Sequence, residues 1–192
     1  MTDPVDAIGW RLATVDDRET VVATVVAAFA ADPAYRYFFP DDDTYAGEAS
    51  AFTGALFDAR VELGTVWVEP EIASVSMWVP PTRNGATTSA PFPVSEAARA
   101  RLGTYGEAVD PWIPAEPHWY LGILATHPDH AGHRLGRRLI EPGLRRAAAD
   151  GLIAVLETTN PVNVELYERA GWQVRADIPD GPLPIWVLEH GP

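Results

Sequence analysis

Residues 118–158 constrain the architecture more than any other part of this chain. HWYLGILATH reads as an apolar strand, a glycine-bearing turn follows, RLGRRLIEPGLRRAAADG reads as a helix, and LIAVLET reads as a second, buried strand. Leu135, Leu139, Ile140, Leu144 and Ala147 recur on one helical face, and Gly151 supplies the helix stop. Such a helix buries its stripe by lying on the sheet that holds both strands, which commits the chain to a mixed α/β fold. Pro142-Gly143 inside the helix predicts a bend.

The remaining segments are compatible with one sheet. Ile8, Trp10 and Leu12 alternate as a short strand, and a helix follows from Arg18 to Ala31, stopped by Asp32-Pro33. PAYRYFFPDDD reads as an aromatic and acidic loop, and a second helix spans Thr44 to Leu63. GTVWVEPE and ASVSMWVPP form a hairpin about Glu69-Pro70-Glu71. Residues 81–93 read as loop, a third helix runs from Ser95 to about Tyr105, and a Pro-rich loop reaches Pro117. Asn160-Pro161 caps a helix to Ala170, and WQVRA and PIWVLEH are the last strands. At 192 residues the chain is expected to be one domain, 1–192.

Composition removes several functions. The formal charge is −13, which argues against nucleic-acid binding. With no cysteine there is no thiolate metal site and no Cys nucleophile, and the histidines lack ligand spacing, so no metal is expected. No apolar run suits a membrane span, and MTDPVDAIGW lacks a signal-like pattern, so the expectation is a cytoplasmic protein without a membrane partner. Residues 1–63 carry 12 acids against 4 Arg, whereas residues 130–150 carry 5 Arg against Glu141 and Asp150. That asymmetry suits a cationic substrate at one place and an anionic cofactor at another; an ordinary helix with solvated arginines explains the basic part equally.

Two segments carry chemistry. In HWYLGILATHPDHAGHRLGRRL a strand enters a glycine turn that opens a helix, so backbone N–H groups converge where the helix dipole is positive. A pyrophosphate fits there, with Arg137 and Arg138 one turn in, although glycines open many helices. In LETTNPVNVELYERAGW, Asn163 and Tyr167 share a helical face. A Tyr stays protonated at neutral pH and can protonate a thiolate leaving group; it can also simply pack on the sheet.

These segments resemble the acetyl-coenzyme A motif, and the strand and helix after it, of the GNAT N-acetyltransferase family: PDHAGHRLG against R/Q-x-x-G-x-G/A, and NPVNVELYERAGW against N-x-x-x-Y-E-x-x-G-[FW]. The resemblance implies a splayed mixed sheet flanked by helices on both faces, a cofactor-binding core at about 117–175, and acetyl-CoA as cosubstrate. It implies that backbone groups of Leu124, Ala125 and Thr126 meet pantetheine, with the Leu124 N–H facing the acetyl oxygen. Ala131, Gly132, His133, Arg134, Leu135, Gly136 and Arg137 would form the pyrophosphate loop, Asn163 would bond pantetheine, and Tyr167 would be the general acid. Glu157, at a strand end, is the candidate base, ahead of His118 and His127, and reads otherwise as a solvated residue. Tyr35, Tyr37, Phe38, Trp119 and Tyr120 would line the acceptor pocket.

The motif departs from consensus at Ala131 and at Arg134, where Gly is usual. Either Arg134 is strained at positive φ, or it has ordinary φ and offers its guanidinium to phosphate. The expected activity is acetyl transfer to a small-molecule amine by direct attack in a ternary complex, in a monomer or homodimer. Two rivals are a degenerate member that binds acyl-CoA without turnover and a protein acetyltransferase; a pocket closed by residues 81–117 argues against the latter.

Overall fold

The computed structural model describes residues 9–83 and 91–192. Ile8 of the expected first strand and residues 84–90 of the expected loop lie outside them. One seven-stranded sheet, ordered β1-β2-β3-β4-β5-β7-β6, organises the described chain. Its strands are β1 (Arg11–Leu12), β2 (Val66–Val68), β3 (Ser74–Val79), β4 (Trp119–Thr126), β5 (Ala154–Thr158), β6 (Gln173–Ile178) and β7 (Ile185–His190). Only β4 and β5 run parallel; the other neighbours are antiparallel. The helices are α1 (Arg18–Ala28), α2 (Pro33–Phe38), α3 (Asp42–Val61), α4 (Glu96–Val109), α5 (Leu135–Asp150) and α6 (Pro161–Glu168).

Strand alternation divides the core between the two faces. Val66, Val68, Val75 and Met77 pack with Val21, Val25 and Phe57 under α1 and α3. Trp67, Trp78, Trp119 and Leu121 pack with Leu139, Ile140 and Ala147 of α5 on the other side. α5 therefore covers the sheet with the stripe its periodicity predicts. It stays one helix through Pro142; Gly143 lets it approach the sheet, since a Cβ there would sit 2.1 Å from Trp78 Cε2. The Ser76 hydroxyl donates to the Leu139 carbonyl in this packed region, 2.7 Å.

One expected loop is a helix. In PAYRYFF, Asp32 is an N-cap whose carboxylate accepts from the Ala34 and Tyr35 amides, and Pro33 occupies the first turn of α2. α1 ends at Ala28 rather than at the expected Ala31, and the Asp-Pro pair expected to stop it starts α2 instead. α4 extends four residues past Tyr105, to Val109, with Ser95 as its cap.

The feature that shapes the site is an irregularity in β4. Met77 pairs with Ile123 and Trp78 with Leu121, so Gly122 is an extra residue without an opposite partner. Such a bulge reverses the facing of every later side chain. Trp119 and Leu121 lie in the α5-side core, whereas Ile123 and Ala125 lie in the α1/α3-side core. Pairing of β4 with β5 ends at Leu121 and Leu156, while β4 continues to Thr126 along β3. The two strands splay from there, as the family resemblance implied.

Candidate active site

The splay opens two cavities. The first, of about 740 Å³, lies between the end of β4, the start of α5 and α6. Leu124, Thr126, Ala131, Gly132, Arg134, Leu135, Gly136, Arg137, Asn163 and Tyr167 line it, together with His130 and Arg169. Of the expected cofactor residues, Ala125 is buried on the opposite face and exposed His133 bonds the His130 carbonyl, 3.1 Å; neither lines this cleft. The amides of the first α5 turn open toward this region because a helix start leaves its N–H groups without intrahelical partners.

The turn before α5 is built from two left-handed residues, Gly132 at φ 83° and Arg134 at φ 60°. Of the two accounts of Arg134, ordinary φ is therefore not what the backbone adopts: the N-cap sits in αL with a side chain on it. Gly136 keeps the helix start close to β4, with Thr126 Oγ1 3.4 Å from where its Cβ would be.

The second cavity, of about 270 Å³, lies between α2, α3, α4, α6 and the sheet. Tyr35, Phe38, Tyr120 and Glu157 are in its lining, with Asp32, Phe52, Arg60 and Tyr105, which the sequence alone does not single out. Tyr37 and Trp119 line neither cavity. Trp119 faces the other way, is buried, and donates from Nε1 to Asp150 Oδ2, 2.8 Å. Tyr37 stacks edge-on against Phe38 instead, at 5.9 Å between ring centroids.

Glu157 stands on the cavity side of β5, two residues beyond buried Val155. The Tyr120 hydroxyl donates to its carboxylate. Burial pushes its pKa up to about 7, against the stabilising effect of that hydrogen bond. A carboxylate so placed is half ionised near neutrality, which suits a general base. His118 is buried and its Nδ1 meets the Glu116 carbonyl, and His127 sits over Asp129 at 3.7 Å; neither lines this cavity. Among the described residues no group of His, Asp and Glu could hold a metal.

Leu124, Asn163 and Tyr167 line both cavities. Burial holds the Tyr167 phenol well above its ordinary pKa, with the Glu157 charge adding to the effect, so it is protonated at neutral pH. The Asn163 amide has one long contact, 3.5 Å to Thr158 Oγ1. Asn160 caps α6 as the sequence predicts, accepting from the Val162 amide, and so fixes the face that Asn163 and Tyr167 share.

Comparison with known proteins agrees with this geometry. The acetyltransferase (GNAT) family model matches residues 97–172. The fold is similar to that of a structure described as histone acetyltransferase HPA2 and related acetyltransferase from Corynebacterium glutamicum, with 24% identity, 95% of each chain covered and a TM-score of 0.69. It is also similar to the Drosophila melanogaster polyamine N-acetyltransferase described as forming N-acetylagmatine, with 17% identity, 95% and 99% covered and a TM-score of 0.61. A third similar fold is PaiA N-acetyltransferase from Thermoplasma acidophilum, solved with coenzyme A, with 11% identity, 95% and 98% covered and a TM-score of 0.61. The GNAT family model thus meets the chain over the stretch that holds the end of the sheet splay, α5 and α6, and the solved structures share its fold, a seven-stranded sheet splayed between β4 and β5.

Proposed function

We propose that this chain, acting as one domain in the cytoplasm, moves the acetyl group of acetyl-CoA to the amine of a small molecule by direct attack. The observation that carries the reading is the junction: a cleft suited to the cofactor and a smaller aromatic cavity share Leu124, Asn163 and Tyr167 as walls. A thioester in one and an amine in the other meet there. The turn Gly132–Arg137 holds pyrophosphate, and Asn163 bonds pantetheine. The Leu124 amide faces the acetyl oxygen as the tetrahedral intermediate forms. Glu157 takes the proton from the amine as nitrogen attacks the carbonyl carbon; the C–S bond breaks, and Tyr167 protonates the departing sulfur. There is no cysteine to carry the acetyl group, in keeping with a ternary complex.

The acceptor is a small amine with an apolar, aromatic part. Leu102 and Tyr105 of α4 join Phe38 and Phe52 in the lining of a cavity of about 270 Å³, a size that suits a small molecule. Segments RLATVDD, AAFAADPAYRYFF, GTVWVEP, EPHWYLG and IPDGPLPIW resemble puromycin N-acetyltransferase in order and spacing, so an antibiotic-like amine is the first candidate. Release of free coenzyme A thiol over a panel with puromycin, agmatine and phenethylamine tests the reading. Tyr167→Phe should lower kcat by roughly 10²–10⁴-fold without changing the melting temperature. Acetyl-CoA binding without thiol release from any amine would instead support the acyl-CoA-binding reading.

A further inference from the structure

Arg60, in the last turn of α3, faces the acceptor cavity. Its Nη1 donates to the Leu56 carbonyl one turn back, 2.8 Å. Its Nε is fully enclosed and has no hydrogen-bond partner. Among the described residues no carboxylate forms an ion pair with it, whereas Arg11, Arg18, Arg36 and Arg175 each have one. The cost of enclosing the group shows in its pKa, which burial draws below the ordinary arginine value. Nη2 has no hydrogen-bond partner among the described residues and is not among the enclosed atoms, so it is the donor left open to the cavity that Arg60 lines.

The cavity's own acids are already engaged. Glu157 accepts from the Tyr120 hydroxyl, and Asp32 accepts from the Ala34 and Tyr35 amides as the α2 cap. The guanidinium lies by the β4 bulge: its Nη2 is 3.6 Å, and the Tyr120 ring 3.5 Å, from where a Cβ on Gly122 would be. Arg60 is thus beside the Tyr120 whose hydroxyl reaches Glu157, and its Nη2 is placed to donate to whatever fills the cavity.

We infer that the acceptor amine also carries a carbonyl-type oxygen, either a free carboxylate or an acyl carbonyl, and that Arg60 binds this oxygen and so orients the amine toward Glu157. The inference rests on the acetyl-transfer reading above and narrows its substrate class. A plain polyamine offers Arg60 only like charge.

Phenylalanine, phenylalanine methyl ester and phenethylamine share the aromatic part and differ in this oxygen. Steady-state kinetics and calorimetric binding with each, in the parent, Arg60→Met and Arg60→Lys, test the proposal. The parent should favour the acid or the ester over phenethylamine by about tenfold or more in kcat/KM, chiefly through KM. The acid ahead of the ester identifies a carboxylate partner; the ester equal or ahead identifies a carbonyl. In Arg60→Met that ratio should fall to about twofold, and Arg60→Lys should restore part of it. Equal use of all three by the parent, or an undiminished ratio in Arg60→Met, overturns the proposal. Should Arg60→Met not fold, the parent panel and Arg60→Lys decide by the same ratio. If no amine is acetylated, the transfer reading fails by itself, and calorimetry still judges Arg60: a binding preference lost in the variants upholds its role, and no preference refutes it.

Discussion

At the scale of single residues, Glu157 and Arg134 make separable statements. The buried Glu157 carboxyl has its pKa moved from 4.5 to about 7, so catalysis that needs it ionised should gain rate as pH rises through about 7. In a kcat/KM profile, Glu157→Gln should remove that limb and leave the titration of the amine alone; an unchanged limb would take the base role from Glu157. The stability effect has the opposite sign. The folded protein holds this proton more tightly than the unfolded chain, so the stabilising contribution is complete below about 4.5 and is lost as pH rises through about 7. Glu157→Gln should therefore melt higher than the parent above pH 7. Arg134 is strained in αL whether or not cofactor is bound, so Arg134→Gly acts on folding through the backbone and on binding through the lost guanidinium. It should melt no lower than the parent yet bind acetyl-CoA about tenfold or more weakly, since a charge-assisted phosphate contact is worth about 1.5–3 kcal/mol. Tighter binding on calorimetric titration would make strain the dominant effect. The αL backbone left no trace in the sequence beyond the missing glycine, because turn geometry is set by how α5 docks on β4.

At the scale of elements, the docking of α5 depends on one missing side chain. Gly143 lies against Trp78, which is fully buried, and an added Cβ would overlap the indole, 2.1 Å from its Cε2. Gly143→Ala should cost about 1–3 kcal/mol as the helix or the indole shifts, measured by denaturant unfolding. A loss under about 0.5 kcal/mol would show that the packing yields there. The sequence predicted a bend at Pro142-Gly143; the element reads as one helix, and the glycine serves close approach. The stripe of Leu139, Ile140 and Ala147, the Gly151 stop and the Asn160-Pro161 start were all legible because periodicity and caps are local. α2 was missed because an Asp-Pro pair reads equally as the end of one helix or the start of another, and only the Asp32 bonds to Ala34 and Tyr35 decide which.

At the scale of the whole molecule, two cavities meet at Leu124, Asn163 and Tyr167, and the proposed direct transfer requires both substrates to be present at once. Initial rates at several fixed concentrations of each should give intersecting double-reciprocal lines; parallel lines would require an acetylated enzyme and refute the direct path. The sequence by itself determined the mixed α/β class, the strand–turn–helix of β4 and α5, and the Asn163 and Tyr167 pair, since each lies within a run short enough for local geometry to fix. Only the tertiary structure decided the acceptor side. The Gly122 bulge turns Ile123 and Ala125 to one core while Trp119 and Leu121 stay in the other, and no alternation pattern in β4 records that switch. Trp119 accordingly binds Asp150 rather than substrate, and Arg60, sixty residues away in sequence, arrives beside Tyr120. A lone strand glycine hints at a bulge, but which side chains then share a cavity follows from long-range packing, and that packing is what separates a helix-end arginine in water from one lining a cavity beside Tyr120.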